Sequence, residues 1–288
     1  MTSPLEQVRS RLSSMLFERV AGAEGPQRRD RIHHADGPRW FEPDSPIRTV
    51  HGDASMFVGG IRALLLQSLH PVAMAAVAGH SGYRGDPWGR LQRTSTFLAV
   101  TTFGSAADAE AAVAAVRRIH DRVQGVTDDG VPYVASDPHL LSWVHLAEVD
   151  SFLAAHQRYG ARPLSPDAAD EYVRQVGRVA SALGADELPT TTAELRQALA
   201  DRRPELRGTR QAREAARFML LTPPLPVPAR PGYALLASAA VGLMPWWTRW
   251  PLRLPLLPVA ESTLVRAAGV ASTATIRWAL RDPAATTG

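Results

Sequence analysis

The sequence predicts an all-α fold, and three observations carry that expectation. Strand-type alternation of apolar and polar residues is scarce, apolar residues recur at helical spacing, and Asp–Pro and Ser-x-x-Asp starts punctuate the chain. An amphipathic helix is expected from about Leu5 to Val20. A polar, proline-rich stretch follows to Phe41-Glu42-Pro43, with His33, His34 and Asp36 in a solvent-exposed loop. From Asp53 to Gly79 the chain is hydrophobic on nearly every side, which suits a buried central helix. Pro71 interrupts it, and the lost backbone hydrogen bond predicts a kink near His70. Asp86-Pro87 reads as an N-cap followed by proline at the first helical position, opening a helix that stops before Gly104. Ser105 and Asp108 start the next helix, from Ala106 to Gln124, and Gly125 closes it. Asp137-Pro138 opens a third that reaches Tyr159-Gly160. Further helices are expected near Pro166 to Leu183, Thr192 to Leu199, Gly208 to Leu220 and Ser262 to Leu280. No repeat or flexible linker divides the chain, so residues 1–288 read as a single mainly helical domain.

Composition narrows the chemistry. Hydrophobic residues make up 45% and charged residues 21% of the 288, an ordinary balance for a folded chain. All 32 basic residues are arginine, and 28 acids leave a net charge of +4. The arginines are interspersed with acids, as in Arg117-Arg118 and Asp121-Arg122, which argues against a nucleic-acid partner. Cysteine is absent, so disulfides, thiolate nucleophiles, iron–sulfur clusters and thiolate-ligated haem are all excluded. Without lysine no phosphate-binding P-loop can form, and neither a G-x-S-x-G nor a strand-flanked G-x-G-x-x-G occurs. The charged N-terminus shows no signal peptide. A cytoplasmic location is expected, with allowance for peripheral membrane contact through the apolar run from Tyr233 to Trp247 and the nearby Trp250.

Three helical faces carry candidate chemistry. On the helix from Ala106, Val113, Val116 and Val123 share a stripe with His120. A core histidine satisfied by one hydrogen bond would explain it, and so would a metal or haem ligand. On the third helix Trp143 precedes His145 by two, while His145 and His156 share a face at a separation of eleven. Paired-histidine metal sites use spacings of three or four, so that pair favours an ordinary core or edge role. Arg90, Thr94 and Phe97 form a third stripe beside Arg93, either a snorkelling edge or a guanidinium placed to grip a carboxylate.

The stretch from Gly52-Asp53 to Gly160 resembles the family of latex clearing proteins (rubber oxygenases) and the oxygenase of mycophenolic acid biosynthesis. The resemblance rests on Leu69-His70-Pro71, Gly89-Arg90-Leu91-Gln92-Arg93-Thr94, Arg118-Ile119-His120-Asp121-Arg122-Val123-Gln124-Gly125 and Asp137-Pro138-His139-Leu140-Leu141-Ser142-Trp143-Val144-His145. It implies a partly globin-like helical core around haem b, with His120 as the iron ligand. Arg90 and Thr94 match residues beside the haem, His145 matches a histidine behind it, and Trp143 stands where rubber oxygenases tend to have threonine. Arg93 matches their distal lysine. Their upstream carboxylate has no counterpart, because no Asp or Glu lies between Gly59 and Tyr83. His70 and His80 are the candidates there for its role. The expected activity is a haem b-dependent oxygenase using dioxygen on a hydrophobic, alkene-bearing or prenylated small molecule, with no obligate protein partner. The alternatives are a non-catalytic haem- or lipid-binding protein of the same fold and a non-haem iron site built on His120 and His145.

Overall fold

The structure is a computed structural model and describes residues 4–22, 24–80 and 85–280. Helices α1 (Pro4–Ala21), α2 (Gly25–His34) and α3 (Pro46–His51) precede the core. His33 and His34 therefore lie in the last turn of α2 and not in a loop. Arg31 in that turn complements the free carbonyls of the helix end, and Ile32 supplies its buried anchor.

The long apolar segment forms two helices, α4 (Met56–Gln67) and α5 (Pro71–His80), that meet at 107°. This break is far sharper than a kink. Pro71 sits where α5 begins, and its ring and missing N–H prevent α4 from running on. No single described helix is long and apolar enough to cross a membrane.

The expected caps are present. Asp86 accepts from the Gly89 amide at 2.8 Å and starts α6 (Pro87–Phe103). Ser105 caps α7 (Ala106–His120), accepting from the Asp108 amide at 3.2 Å. That helix ends four residues before the expected Gln124. Gln124–Val126 instead forms β1, antiparallel to β2 (Pro132–Val134), with Gly125 opposite Tyr133. A Cβ on Gly125 would lie 2.6 Å from the Tyr133 hydroxyl, so the glycine makes room for the tyrosine and does not close a helix.

Asp137 then caps α8 (Pro138–Tyr159), accepting from the His139 amide at 2.8 Å. The remaining elements are α9 (Pro166–Leu183), α10 (Thr192–Asp201), α11 (Arg210–Leu221), α12 (Arg230–Gly242), α13 (Trp246–Leu252), α14 (Pro258–Ala260) and α15 (Arg266–Leu280). A 3-10 turn, Arg203–Glu205, follows α10, and a π-helical turn, Glu261–Val265, joins α14 to α15.

Helix α8 runs through the middle. It packs closest on α4, where a Cβ on Gly59 would meet the Phe152 ring at 2.7 Å. The buried Arg62 locks the same contact. Its guanidinium reaches Asp150 at 2.7 Å, the Ser151 hydroxyl at 2.7 Å and the Leu243 carbonyl at 3.0 Å, tying α4 and α8 to the chain after α12. One apolar cluster fills the space between α3, α8 and α9 with Ile47, Val149, Phe152 and Tyr172. Another joins α4, α5, α8 and α11 through Leu65, Ala73, Trp143 and Ala212. Near the C-terminal end, Arg277 grips Asp53 at 2.9 and 3.0 Å and the Tyr159 carbonyl at 2.8 Å.

Candidate active site

Leu141, Val144, His145 and Glu148 fall at helical spacing along one face of α8. That face looks into a narrow cleft of about 60 Å³, walled by Phe97, Leu98 and Thr101 from α6 and by Val176, Val179 and Leu183 from α9. Such a space accepts a head group or a few waters and is well short of a porphyrin. His51 also lines it, and both its ring nitrogens have partners: the Thr102 hydroxyl at 2.8 Å and the Tyr172 hydroxyl at 3.3 Å. Burial drives its pKa down to about 3, so the ring is neutral.

Two polar groups in this cleft have no such partner. His145 is 5% exposed, and its buried Nε2 makes no hydrogen bond. Burial lowers its pKa to about 4, leaving it neutral too. Glu148 stands one turn further along α8, and among the described residues nothing donates to its carboxyl or pairs with it. Burial among hydrocarbon pushes that carboxyl up to about 7. Helical spacing in the sequence singles out the histidines and passes over this acid. The available signal was a lone acid three residues after His145, on a face otherwise set by Leu141 and Val144.

The residues singled out in the sequence fall into three places. Arg90 and Thr94 lie on the α6 stripe that continues into the cleft as Phe97 and Thr101; Thr94 is exposed and Arg90 half-buried. Arg93 is exposed and pairs with Asp86 at 3.2 Å. His120 ends α7, on the stripe that buries Val113. Its Nδ1 is buried without a partner, and burial lowers its pKa against the opposing pull of Asp121. His120 does not line the cleft of His145. His80 is exposed at the end of α5, with its ring 6.3 Å from that of Tyr133.

His70 and Trp143 meet on a different face of α8, their ring centroids 6.1 Å apart. There a second cluster forms, from residues that no sequence motif groups. Nε2 of His70 and Nε2 of His139 both reach the same Glu205 carboxylate oxygen, at 3.3 and 2.7 Å. Two imidazoles and a carboxylate are metal-ligand types, and their ligand atoms lie within 4.8 Å of one another. The Arg202 guanidinium, however, lies against the His139 ring and 3.9 Å from Glu205, so the carboxylate is already balanced by a cation. Burial pushes Glu205 up, but hydrogen bonds from His139 and His70 and the charge of Arg202 outweigh it and hold it low. His70 shifts downward because its burial outweighs the pull of Glu205. Elements from α4–α5, α8 and the turn after α10 contribute one residue each, so no local spacing could have announced the cluster.

An all-α fold that keeps an unpartnered imidazole and an unpartnered carboxyl in one apolar cleft has the make-up of an enzyme's ligand site. The family comparison gives that class a name. Residues 48–278 match the family described as ER-bound oxygenase mpaB/B'/rubber oxygenase, catalytic domain, and the chain belongs to that family. The resemblance carried by the His70, Arg90–Thr94, His120 and Trp143–His145 motifs is thereby borne out, and the chain is an oxygenase-family protein. No curated protein and no solved structure matches it.

Proposed function

We propose that the chain is a haem b-dependent oxygenase acting on a hydrophobic, alkene-bearing or prenylated small molecule. The observation that carries this reading is that Nδ1 of His120 and Nε2 of His145, two of the three buried imidazole nitrogens left without a partner among the described residues (the third is Nδ1 of His156), stand on consecutive helices of an oxygenase-family fold. Neutral imidazole is the protein's best iron donor in the absence of cysteine, and burial keeps both rings neutral. The donor set fits haem, but the cleft beside His145, which His120 does not line, is too small for a porphyrin.

In this reading His120 would ligate iron, Arg90 and Thr94 would hold the porphyrin edge and His145 would fix the α8 side, with Trp143 bracing α8 from its opposite face against α4. Bound haem supplies the iron at which dioxygen is activated, and addition of both oxygens across an alkene would leave two carbonyl products. The chain's own work is to orient substrate and exclude water. Phe97, Leu98, Val176, Val179 and Leu183 provide the dry wall that does so. The rival reading, a non-haem site, draws on the His70, His139 and Glu205 cluster and not on His120 with His145.

The test is an absorption spectrum of protein expressed with added haem precursor, set against His120→Ala. A strong Soret band that is lost or shifted in the variant is the expected outcome. No Soret band with porphyrin plentiful overturns the haem reading.

Peripheral membrane contact belongs to the same proposal. Trp246 is 76% and Trp250 90% exposed, and Leu257, Val259 and Leu264 are exposed beside them at 58%, 79% and 76%. Trp247, by contrast, packs inward beneath the Arg203 guanidinium at 5.0 Å. The nearby acid, Glu261, is paired with Arg249 at 2.7 and 3.1 Å, while Arg253 and Arg266 remain at the surface. Tryptophan with a cationic rim, its neighbouring acid neutralised, is the composition favoured at an anionic lipid surface.

A further inference from the structure

The cleft is apolar except for four polar side chains, His51, Thr101, His145 and Glu148. A buried polar atom without a hydrogen bond is costly, and native structures keep few of them. Here His145 Nε2 is buried and orphaned, and the half-buried Glu148 carboxyl stands one turn away on the same face of α8, without a hydrogen bond or ion pair among the described residues; the nearby Tyr172 hydroxyl feels its charge but is engaged with His51. The other polar side chains of the cleft are spoken for. His51 is bonded at both nitrogens, and the Thr101 hydroxyl donates to the Phe97 carbonyl at 2.9 Å. Neither His145 Nε2 nor Glu148 receives a hydrogen bond from α6 or α9, whose Leu98, Val176, Val179 and Leu183 line the cleft.

We propose that the cleft binds an apolar molecule carrying a single hydroxyl head, which Glu148 and Nε2 of His145 hold while its hydrocarbon lies along α6 and α9. The proposal rests on reading the cleft as the substrate side of the oxygenase pocket, and it narrows the substrate class from hydrophobic to apolar with one neutral hydrogen-bonding end. A hydroxyl both donates and accepts, so one oxygen can serve an imidazole nitrogen and a carboxyl together. The apolar walls of the cleft offer nothing to solvate a charged head of either sign, and burial keeps His145 neutral. A carboxylate head would meet Glu148 as a like group. A site built around buried hydrogen-bonding groups discriminates strongly against the analogue that lacks the matching group, because its own polar atoms are then left bare.

The probe is the prenyl alcohol geraniol, compared with the hydrocarbon and the amine of the same carbon skeleton. Binding is measured anaerobically by titration calorimetry, on protein prepared with and without haem loading. Neither oxygen chemistry nor the Soret result then decides the outcome, and failure here is separable from failure of the haem reading. The alcohol is expected to bind about tenfold more tightly than the hydrocarbon. Glu148→Leu should erase that preference without weakening the hydrocarbon, while Glu148→Gln, which keeps a hydrogen-bonding end of the same shape, should retain most of it. Circular dichroism confirms that both variants fold. Equal binding of alcohol and hydrocarbon, an unchanged preference in Glu148→Leu, tighter binding of the amine, or no measurable binding of all three would each overturn the proposal.

Discussion

Helix α8 has two faces that treat buried polar groups in opposite ways. On the face toward α4 and α5, the polar groups find partners. The Trp143 indole donates to the Gln67 carbonyl at 3.3 Å, Asp150 is held by Arg62, and His70 and His139 share Glu205. On the face toward α6 and α9, His145 is buried with a bare Nε2, and the half-buried Glu148 has no hydrogen bond among the described residues. Both faces come from one helix with one N-cap, so local propensity does not separate them. The difference lies in what the neighbours supply: α4 and the turn after α10 bring charge, whereas α6 and α9 bring hydrocarbon. A fold that spends arginine and glutamate so freely on one side, and withholds both on the other, reserves the second side for something that arrives from outside.

The largest expected effect lies on the satisfied face. Trp143 is fully buried, and Trp143→Ala should cost about 3–5 kcal/mol in a denaturant titration through lost packing and a stranded Gln67 carbonyl. A loss below about 1 kcal/mol would mean that this face is not the structural one.

Glu148→Gln should move the other way, and its size should depend on pH. The folded-state pKa of Glu148, about 7, lies above its ordinary 4.5. Between those values the folded protein keeps a proton that the unfolded chain has released, so stability falls as pH rises from about 4.5 to 7 and stays low above. The variant lacks that loss. Its stability relative to the parent should climb through this window by on the order of 2 kcal/mol. A difference that is flat with pH would place Glu148 in water. His145 titrates with the opposite sign: its folded pKa near 4 lies below 6.5, so its contribution is lost as pH falls from 6.5 to 4.

A smaller effect is expected at Glu205. Glu205→Gln leaves an amide oxygen for one of the two imidazoles but removes the charge that balances Arg202, and about 1 kcal/mol of destabilisation should follow in the same titration. Stabilisation of the parent by added zinc, lost in this variant, would instead reveal a metal site on a face whose polar groups otherwise satisfy one another.

What the sequence disclosed follows the range of the forces involved. The starts of α6, α7, α8 and α9 were legible because Asp86, Ser105, Asp137 and Ser165 cap amides two or three residues ahead. The 107° angle at Pro71 was not legible, since proline dictates a break but neighbours set its angle. Nor was the hairpin after His120, where Tyr133 must cross the chain to explain Gly125. For the site, His120 and His145 stood out as imidazoles on apolar faces. Glu148 did not, because an acid on α8 gains meaning only from the hydrocarbon that α6 and α9 lay over it. The pairing of His139 with Glu205 depends on side chains 66 residues apart.

The smallest effect on stability should come from a third surface, and it sharpens the contrast between satisfied and waiting groups. Trp246 and Trp250 contribute little to the core, being 76% and 90% exposed, so Trp246→Ser with Trp250→Ser should leave stability within about 0.5 kcal/mol. If their exposure answers a lipid surface, co-sedimentation with vesicles containing anionic lipid should fall severalfold in the double variant. Arg253→Glu should weaken binding to anionic vesicles more than to neutral ones, because only its electrostatic share depends on the headgroups. A double variant that sediments like the parent would leave the tryptophans as ordinary surface residues, and the cleft of His145 and Glu148 would then have to draw its apolar ligand from solution.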